Sequence, residues 1–508
     1  MAFDAAPEAS DLEVLIVGTG FAGLGMGIHL KRAGIESFVI LERADDVGGT
    51  WRDNRYPGCA CDIPSHLYSF SFELNPAWSR HYPPQREIWD YLRHCANKYG
   101  LMSHIRFGAE LVQARYDEAA ARWRVTTRDG RSFSARVLVS GMGGLSNPDV
   151  PKLPGLEYFS GTTFHSARWN GDYDLRGKRV AVIGSGASAI QLVPQIQPQV
   201  AQLDYYQRTP SWILPHPDRA VTPFEHWLFR WLPFTQRLLR AAIYWVHESR
   251  VTGFTQRSGL LPLAAGLARR HVRRQITEPE LRRKLTPEYA LGCKRILISN
   301  NYYPALERPN VEVITDTIRE LTPHGIVTGD GRERQVDAII FATGFKAQQP
   351  FERGMVLGRG GIDIVDSWPA GPEAYLGTAV SGFPNFFMLV GPNTGLGHNS
   401  MVYMIESQIT YVMSALRQMR ARRLLSVDVR PEVLRSYNDE LQARQRGTVW
   451  ASGCRSWYLN DNGRNTTLWP GATFTFRRKT RRFLLRDYLA QGREAESGER
   501  PQRERALP

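Results

Sequence analysis

The sequence predicts an α/β fold with two doubly wound parallel sheets, because one local pattern occurs twice. A short β-branched run, a glycine turn, a helix-length segment and a second apolar run follow one another over 12–43 and again over 178–210. Two further buried-strand runs, at 136–148 and 337–347, lead into glycine turns and are expected to close these two units. At 508 residues, the chain is also too long for a single hydrophobic core.

The first unit carries a GxGxxG pattern, formed by Gly18, Gly20 and Gly23, directly after its first strand. In this pattern the first glycine permits a tight turn, the second lets the backbone approach a pyrophosphate, and the third lets helix and strand pack closely. Glu42 ends the second strand, where a carboxylate accepts hydrogen bonds from ribose hydroxyls. The unit is therefore predicted to bind a dinucleotide with free ribose hydroxyls, such as FAD.

The second unit carries the same pattern with a different end to its second strand. Gly184, Gly186 and Ala189 form the turn, and Arg208 with Thr209 stands where the first unit has its acid. A guanidinium at this place fits a ribose 2′-phosphate by charge and by bidentate geometry, and the threonine hydroxyl can donate beside it. We therefore expect NADPH rather than NADH; the alternative for the arginine is a surface salt bridge.

These assignments predict two Rossmann-like dinucleotide-binding domains with a helical insertion in the second. The expected boundaries are an FAD-binding domain at 1–150 and 346–490, an NADPH-binding domain at 151–220 and 293–345, the insertion at 221–292 and a disordered tail at 491–508. The tail is predicted from its charge and its lack of apolar residues.

In the insertion, five apolar residues follow the spacing of one helix face: Phe224, Trp227, Leu228, Trp231 and Leu232. Pro233 is expected to end this helix. Burial of the face against its own domain is favoured over contact with a membrane surface.

The formal net charge of +14 suits anionic partners, including phosphate-bearing cofactors. Arginine-rich runs at 268–275, 281–285 and 476–486 are interpreted as solvated helix faces and a loosely held end. Because no zinc finger, RNP motif or basic zipper accompanies them, nucleic acid is not expected as a partner.

The cysteines are few, odd in number and scattered, at positions 59, 61, 95, 293 and 454. This pattern argues against a disulfide framework and for a reducing compartment, the cytoplasm. Neither a secretion signal nor a membrane-spanning run is recognised. Cys59 and Cys61 are one residue apart, so a redox-active CxxC is absent, and no ligand cluster predicts a metal site.

The segment at the junction of the two units resembles a known family. Phe159, Gly161, His165 and Trp169 match FxGxxxHxxxW, which resembles the signature of type I Baeyer–Villiger monooxygenases, within the class B flavoprotein monooxygenases. Asn170 departs from the Pro or Asp that usually follows this tryptophan. A second family motif, GGxWxxxxYPGxxxD, is complete at Gly48, Gly49, Trp51, Tyr56, Pro57, Gly58 and Asp62.

The resemblance implies a reaction in which NADPH, O2 and a ketone give an ester or lactone through a flavin peroxide. Arg295 is implied as the active-site arginine, Asp62 as its orienting partner and Lys294 as a contact of the 2′-phosphate. Tyr68 is implied to lie near the flavin, and Trp457 to lie on a mobile segment that closes over the nicotinamide. The alternatives are a salt bridge for the arginine, a loop cap for the aspartate, and core packing for the two aromatic residues.

A histidine in the junction segment also invites a general-base interpretation. For His165 we favour a hinge or inter-domain hydrogen bond, and for Trp169 a packing anchor, because the segment is flanked by Pro and Gly. The alternative enzyme is a flavin-containing N- or S-oxygenase on the same scaffold, which Trp169, Asp62 and Arg295 disfavour. A non-catalytic flavoprotein is disfavoured by Arg208 and the intact glycines of both units.

Overall fold

The computed structural model describes residues 9–255, 260–454 and 456–492. In this part of the chain the helices are α1 (Phe21–Arg32), α2 (Thr50–Asp53), α3 (Gln85–Lys98), α4 (Ala187–Ile196), α5 (Pro223–Trp231), α6 (Pro233–Ser249), α7 (Val251–Thr255), α8 (Leu260–Gln275), α9 (Pro279–Leu285), α10 (Tyr302–Leu306), α11 (Met401–Ala421), α12 (Pro431–Gln445) and α13 (Thr473–Thr480). The strands of the same ranges are β1 (Ala9–Val17), β2 (Phe38–Leu41), β3 (Ile105–Arg106), β4 (Leu111–Asp117), β5 (Arg122–Thr127), β6 (Ser132–Ser140), β7 (Thr162–His165), β8 (Arg179–Ile183), β9 (Gln202–Tyr206), β10 (Ile213–Leu214), β11 (Leu297–Ile298), β12 (Val311–Ile314), β13 (Ile318–Leu321), β14 (Gly325–Thr328), β15 (Glu333–Gln335), β16 (Ala338–Phe341), β17 (Val356–Leu357), β18 (Phe386–Met388), β19 (Leu424–Val429) and β20 (Tyr488–Gly492).

The first sheet has the order β17-β4-β5-β6-β1-β2-β3, with β18 also paired to β6. Strands β1, β2, β3, β6 and β18 are parallel, whereas β4 and β5 form an antiparallel excursion. Helices α1 and α11 pack together on this sheet within its largest apolar core. The parallel strands end at the same edge, which is where α1 begins.

The second sheet is entirely parallel, in the order β12-β9-β8-β16-β7. Helix α4 connects β8 to β9 and packs in a separate core with α10. The strand, glycine turn, helix and strand expected at 12–43 and 178–210 are therefore both present, each closed by a later strand. The predicted α/β fold class with two Rossmann-like sheets is confirmed.

Helices α5 to α9 fill the region predicted as a helical insertion, but one expectation about its first helix is wrong. The expected end of that helix at Pro233 is confirmed, since α5 ends at Trp231 and Pro233 occupies the first turn of α6, where its missing N–H costs nothing. The aromatic face of α5 is not buried against its own domain, since Phe224 and Trp231 are each 67% exposed. Amphipathic spacing gives the face of a helix but not the direction in which that face points.

The structure also differs from the expectation about the cysteines. Cys293 and Cys454 are joined by a disulfide bond, with Cα atoms 6.3 Å apart, and the expectation of no disulfide framework misses this bond. The two cysteines are 161 residues apart, and only the fold brings them together.

Gln491 and Gly492 of the predicted tail belong to β20, and 493–508 lie outside the described residues. Among the described helices, none is long and apolar enough to cross a membrane.

Candidate active site

One large cavity lies where the two sheets present their glycine turns. Its volume is 1510 Å³, and its wall includes both turns and segments near 50, 62, 208, 295 and 457. This volume exceeds the several hundred Å³ that is typical of a pocket for one small ligand. The expected site residues on the wall are Gly18, Gly20, Glu42, Gly49, Trp51, Asp62, Tyr68, Gly184, Gly186, Arg208, Thr209, Lys294, Arg295 and Trp457. Gly23, Ala189 and the four junction residues Phe159, Gly161, His165 and Trp169 are not part of the wall.

The first glycine turn has the shape that a bound pyrophosphate requires. Gly18 has a φ of +97°, and a Cβ at this position would lie 2.8 Å from the carbonyl oxygen of Gly141. A Cβ at Gly23 would lie 1.8 Å from the oxygen of Gly18, so only glycine lets α1 pack against β1. Gly20, in contrast, faces open space within 4 Å of its Cβ position. The turn therefore presents bare backbone to the cavity at the start of α1.

Glu42 stands at the end of β2, as expected, but it is already engaged with the protein. Thr19 donates to its Oε2 from the backbone N at 3.0 Å and from Oγ1 at 2.5 Å. The backbone N of Ala44 donates to Oε1 at 3.0 Å, and Arg52 Nη1 lies 2.9 Å from the same atom. A ribose hydroxyl that binds here must therefore displace or share one of these donors. In the sequence, the only indication of a role for Arg52 is its place next to Trp51 of the GGxW motif.

The second glycine turn repeats this geometry. Gly184 has a φ of +120°, and a Cβ there would lie 2.3 Å from the oxygen of Ala342, whereas Gly186 faces open space. Ala189 is fully buried on α4, where it packs in the second core. Ser185 Oγ donates to the carbonyl oxygen of Thr209 at 2.7 Å, which fixes the end of β9 beside the turn.

Two cations lie together at the end of β9. Burial lowers the pKa of Lys294, and the charge of Arg208 lowers it further. Lys294 Nζ lies 4.8 Å from the ring centroid of Tyr289. Within the described residues, no carboxylate oxygen lies within 4.0 Å of either cation, so the alternative of a salt bridge for Arg208 is not found there. Two such cations on a cavity wall form an anion site of the kind that a 2′-phosphate occupies.

Arg295 and Asp62 form a bidentate ion pair on the cavity wall. Arg295 Nη2 donates to both carboxylate oxygens, at 2.7 and 2.6 Å, and Nε donates at 3.0 Å. The Asp62 charge raises the pKa of Arg295 above its usual value, so the guanidinium stays cationic at every accessible pH. The pair holds the guanidinium plane in one orientation and leaves Nη1 without a hydrogen bond to Asp62.

The loop that carries Asp62 also holds an aromatic pair at the first glycine turn. Trp51 Nε1 donates to the hydroxyl of Tyr68 at 3.1 Å, and burial raises the pKa of Tyr68. Gly49 has a φ of +52°, and a Cβ there would lie 3.2 Å from the Cα of Gly20. The GGxW motif therefore packs directly onto the first glycine turn, where these side chains line the cavity. Each glycine turn, with the start of the helix that follows it, is called a cradle below.

The same loop joins the two nucleotide-binding units. Tyr56 Oη donates to Oε1 of Gln191 on α4 at 2.8 Å, and Gln191 Nε2 donates to the oxygen of Ala60 at 3.0 Å. A Cβ on Gly58 would lie 2.6 Å from the oxygen of Gln191. The YPG motif is thus an inter-unit contact, and burial raises the pKa of Cys59 to about 12, which keeps this thiol protonated.

The junction residues lie outside the cavity, and His165 contacts Phe345 in the segment 342–345 that leads back to the first unit, which we call the return linker. His165 ends β7, accepts from the backbone N of Ala167 at Nδ1 (3.1 Å) and packs against Phe345 at a centroid distance of 5.8 Å. Burial lowers its pKa. Trp169 packs edge-on to Phe164 at 5.0 Å. This placement favours a conformational role over proton transfer for His165.

The other two junction residues, Phe159 and Gly161, pack closely just before β7. A Cβ on Gly161 would lie 2.5 Å from the ring of Phe159 and 2.6 Å from the oxygen of Asp337. Phe159 packs on the core of the second sheet. Arg168, which the sequence did not single out, lies 3.8 Å from the carboxylate of Asp53 in the first unit.

Trp457 lies on the cavity wall and is 43% exposed, so the alternative of a buried structural tryptophan is not found. Its carbonyl oxygen accepts from Nε2 of Gln348 at 2.7 Å. The disulfide at Cys454 ties this segment to Cys293, two residues before Arg295. One covalent bond therefore connects the segments that carry two of the expected site residues.

Comparison with known proteins gives the class of this site. A family model described as flavin-binding monooxygenase-like matches residues 11–358. A Baeyer–Villiger monooxygenase of Pseudomonas aeruginosa is 56% identical over 94% of this chain and 90% of its own length. Cyclohexanone monooxygenase from Rhodococcus sp. Phi1 bound to NADP+ superposes with a TM-score of 0.85 and 28% identity, over 95% of this chain and 99% of that one.

A structure of OTEMO in complex with FAD and NADP superposes with a TM-score of 0.82 and 26% identity, over 92% of this chain and 97% of that one. Two dinucleotide cradles that open into one cavity define a two-nucleotide flavoprotein oxidoreductase. The chain belongs to the flavin-binding monooxygenase family, in its Baeyer–Villiger branch. Its cofactors are FAD and NADPH, and the two bare glycine turns and the cation pair fit these groups.

Proposed function

We propose that this chain inserts one oxygen atom next to the carbonyl of a ketone. A ketone, NADPH, a proton and O2 give an ester or lactone, NADP+ and water. The observation that carries the proposal is the Arg295–Asp62 pair on the wall of the cavity into which both cradles open. A fixed cation at this place suits a reaction in which negative charge develops on substrate oxygen.

The first cradle would hold the diphosphate of FAD, with Gly18, Gly20 and the start of α1 around it. FAD, when bound, accepts the hydride of NADPH and supplies the oxygen chemistry. Trp51 and Tyr68 would support it from the GGxW loop, and Glu42 would receive its ribose hydroxyls in exchange for one of its present donors.

The second cradle would hold NADPH. The turn of Gly184 and Gly186 would bind its diphosphate, and Thr209, Arg208 and Lys294 would surround the 2′-phosphate. Burial and the charge of Arg208 lower the pKa of Lys294, and an anion between the two cations favours the charged form of the lysine. Selectivity for NADPH over NADH follows, because only NADPH brings that anion.

Arg295 would stabilise the developing negative charge through its free guanidinium edge. Asp62 is a positioning residue, since it holds the guanidinium plane and keeps it cationic. Trp457 would exclude water from the nicotinamide side of the cavity. His165 would hold the return linker through Phe345 and so couple the position of the two units to turnover.

The test adds NADPH to the yellow holoenzyme without oxygen and then admits air with a ketone, an amine or a sulfide. We expect the flavin absorbance to bleach with NADPH and an ester to form from the ketone. Absence of bleaching contradicts both enzyme interpretations. Oxygenation of the amine or sulfide but of no ketone contradicts the proposal in favour of an N- or S-oxygenase.

A further inference from the structure

Helices α5 and α6 present a continuous apolar surface to solvent. Six large side chains follow one another along this surface with exposures between 40% and 67%: Phe224, Trp227, Trp231, Leu232, Phe234 and Leu238. Trp245, 59% exposed, continues the surface at the far end of α6. We call these seven residues the aromatic face. Single exposed apolar residues are ordinary, but a contiguous set of this size marks an interaction site.

The polarity of α6 is inverted relative to a helix that packs on a core. Its inner side carries hydrogen-bonded polar side chains: Gln236 donates to the oxygen of Asn75 at 2.6 Å, and Arg240 donates to the oxygen of His66 at 2.7 Å. Glu248, 2% exposed, accepts from Asn399 at 2.6 Å and from Thr473 Oγ1 at 2.7 Å. These bonds fix the rotation of α6, so the apolar stripe is held outward.

Helix α5 is fixed in the same way. A capping box between Thr222 and Glu225 starts it, and Arg219 adds two contacts to Glu225 at 2.7 and 2.8 Å. On the inner side, His226 bonds to the oxygen of Trp78 at 3.0 Å and Phe229 is buried. The exposure of the face is therefore built into both helices and is not a loose end.

Cationic side chains flank the aromatic face. Arg230 and Arg237 are the exposed charged residues within α5 and α6. The acidic residues of these helices do not offset them, because Glu225 is paired with Arg219 and Glu248 is buried. At the far end, Phe474 of α13 contacts Trp245 at a centroid distance of 6.1 Å. Helix α13 then continues into an exposed basic cluster made of Arg478, Lys479, Arg481 and Arg482. The arginine-rich run at 476–486, which the catalytic site does not use, thus lies beside this surface.

We propose that the aromatic face and its basic flank dock this protein on the surface of an anionic lipid bilayer. Tryptophan and phenylalanine side chains partition into the interfacial region of a bilayer, and lysine and arginine beside them attract anionic headgroups. The helix lies on the membrane and does not cross it, in agreement with the lack of a spanning helix among the described residues. This proposal does not depend on the proposed reaction.

A second copy of the chain suits the surface less well. A symmetric dimer through this surface would bring two basic flanks into one interface, and a chain with a net charge of +14 repels itself. An anionic bilayer attracts the same flank.

The inner side of α6 also touches the central cavity. Glu248 of α6 accepts a hydrogen bond from Asn399, and Asn399 lines the cavity, so one hydrogen bond separates the docking helix from the site.

The test is flotation of the full-length holoenzyme with vesicles. Phosphatidylglycerol mixed with phosphatidylcholine is compared with phosphatidylcholine alone, at low and high salt. We expect the protein to float with the anionic vesicles, and the bound fraction to fall by about tenfold or more in Trp227→Ser/Trp231→Ser/Phe234→Ser. Arg478→Gln/Arg482→Gln should lose the preference for anionic lipid and the salt dependence.

The matched control is Ile362→Ser/Leu489→Ser, which removes two apolar residues of similar exposure elsewhere and should float like the parent protein. Retained flavin absorbance shows that each variant is folded, and Phe234→Ser alone replaces the triple variant if the latter loses flavin. Absence of flotation at low salt, or equal flotation of the triple variant, overturns the proposal. The proposal is also overturned if the parent protein is a dimer, the triple variant is a monomer and neither protein binds vesicles.

Discussion

Arg295 and Asp62 meet across 233 residues of sequence, and three nitrogen–oxygen contacts of 2.6 to 3.0 Å hold them together. Asp62 belongs to the loop that also binds Gln191 of the second unit, and Arg295 follows the helical region. The geometry of the pair therefore depends on the relative position of the two cradles, and it also sets the orientation of the Arg295 guanidinium. Its environment makes several outcomes measurable.

Asp62→Ala should lower kcat for ester formation by about tenfold to a hundredfold, because the guanidinium loses its fixed orientation. The KM for NADPH should change little, since Asp62 is bonded to Arg295 and not to the cations Arg208 and Lys294. Asp62→Glu should recover part of the rate, which a general folding defect would not allow. A variant that loses NADPH binding and keeps kcat would contradict the positioning role. Steady-state kinetics with product analysis distinguishes these outcomes.

Affinity for NADPH should depend on the charge of Lys294. Its pKa is lowered by burial and by Arg208, so NADPH binding should weaken as pH rises through a value below that of an ordinary lysine. Arg208→Ala should raise the KM for NADPH, leave that for NADH unchanged and move the pH inflection upward. Titrations over pH with both nucleotides test this, with Arg319→Ala as a control at an exposed arginine. An unmoved inflection would show that Arg208 does not act on Lys294.

The disulfide should stabilise the protein and hold the Trp457 segment near Arg295. Cys293→Ser/Cys454→Ser should lower the free energy of unfolding by about 2–4 kcal/mol and raise the fraction of NADPH oxidised without ester formation. A reducing agent should reproduce both effects in the parent protein and have no effect on the double variant. Thermal or denaturant unfolding and a comparison of NADPH consumed with ester formed provide the two readouts. Identical behaviour of the oxidised and reduced parent would contradict this role.

Stability should fall as pH decreases below about 6.5, because buried histidines must charge on unfolding. Burial lowers the pKa of His66 and of His247 to about 4. The unfolded chain therefore binds more protons between these values and 6.5, with a slope of up to about 1.4 kcal/mol per pH unit for each histidine. His247→Asn should reduce the slope, and His94→Asn is the control at an exposed site. An unchanged slope in His247→Asn would assign the effect to other groups.

The sequence was sufficient for the two cradles because glycine spacing and strand periodicity are local. Gly18 and Gly184 need positive φ values, and this requirement is visible in the residue type itself. The partner of Glu42 was not predictable, because Arg52 reaches it only when the segment 48–54 has folded against the end of the second strand.

The two wrong expectations have a common physical origin. The amphipathic period of α5 is the same whether its apolar face meets a core or solvent, and contacts on the inner side, such as that of His226 with Trp78, decide the direction. Likewise, the spacing of Cys293 and Cys454 carries no information on their contact. Sequence patterns specify local geometry, whereas these features depend on how distant segments meet.

The most direct measurement follows both atoms of ¹⁸O2 in the parent enzyme and in Arg295→Ala, with reduction of the flavin by NADPH measured separately. We expect one labelled oxygen in the ester and one in water for the parent. We expect near-normal flavin reduction in Arg295→Ala, with ester formation lowered by about a hundredfold or more. Labelled ester formed by Arg295→Ala at the parent rate would contradict the role of Arg295 in oxygen insertion.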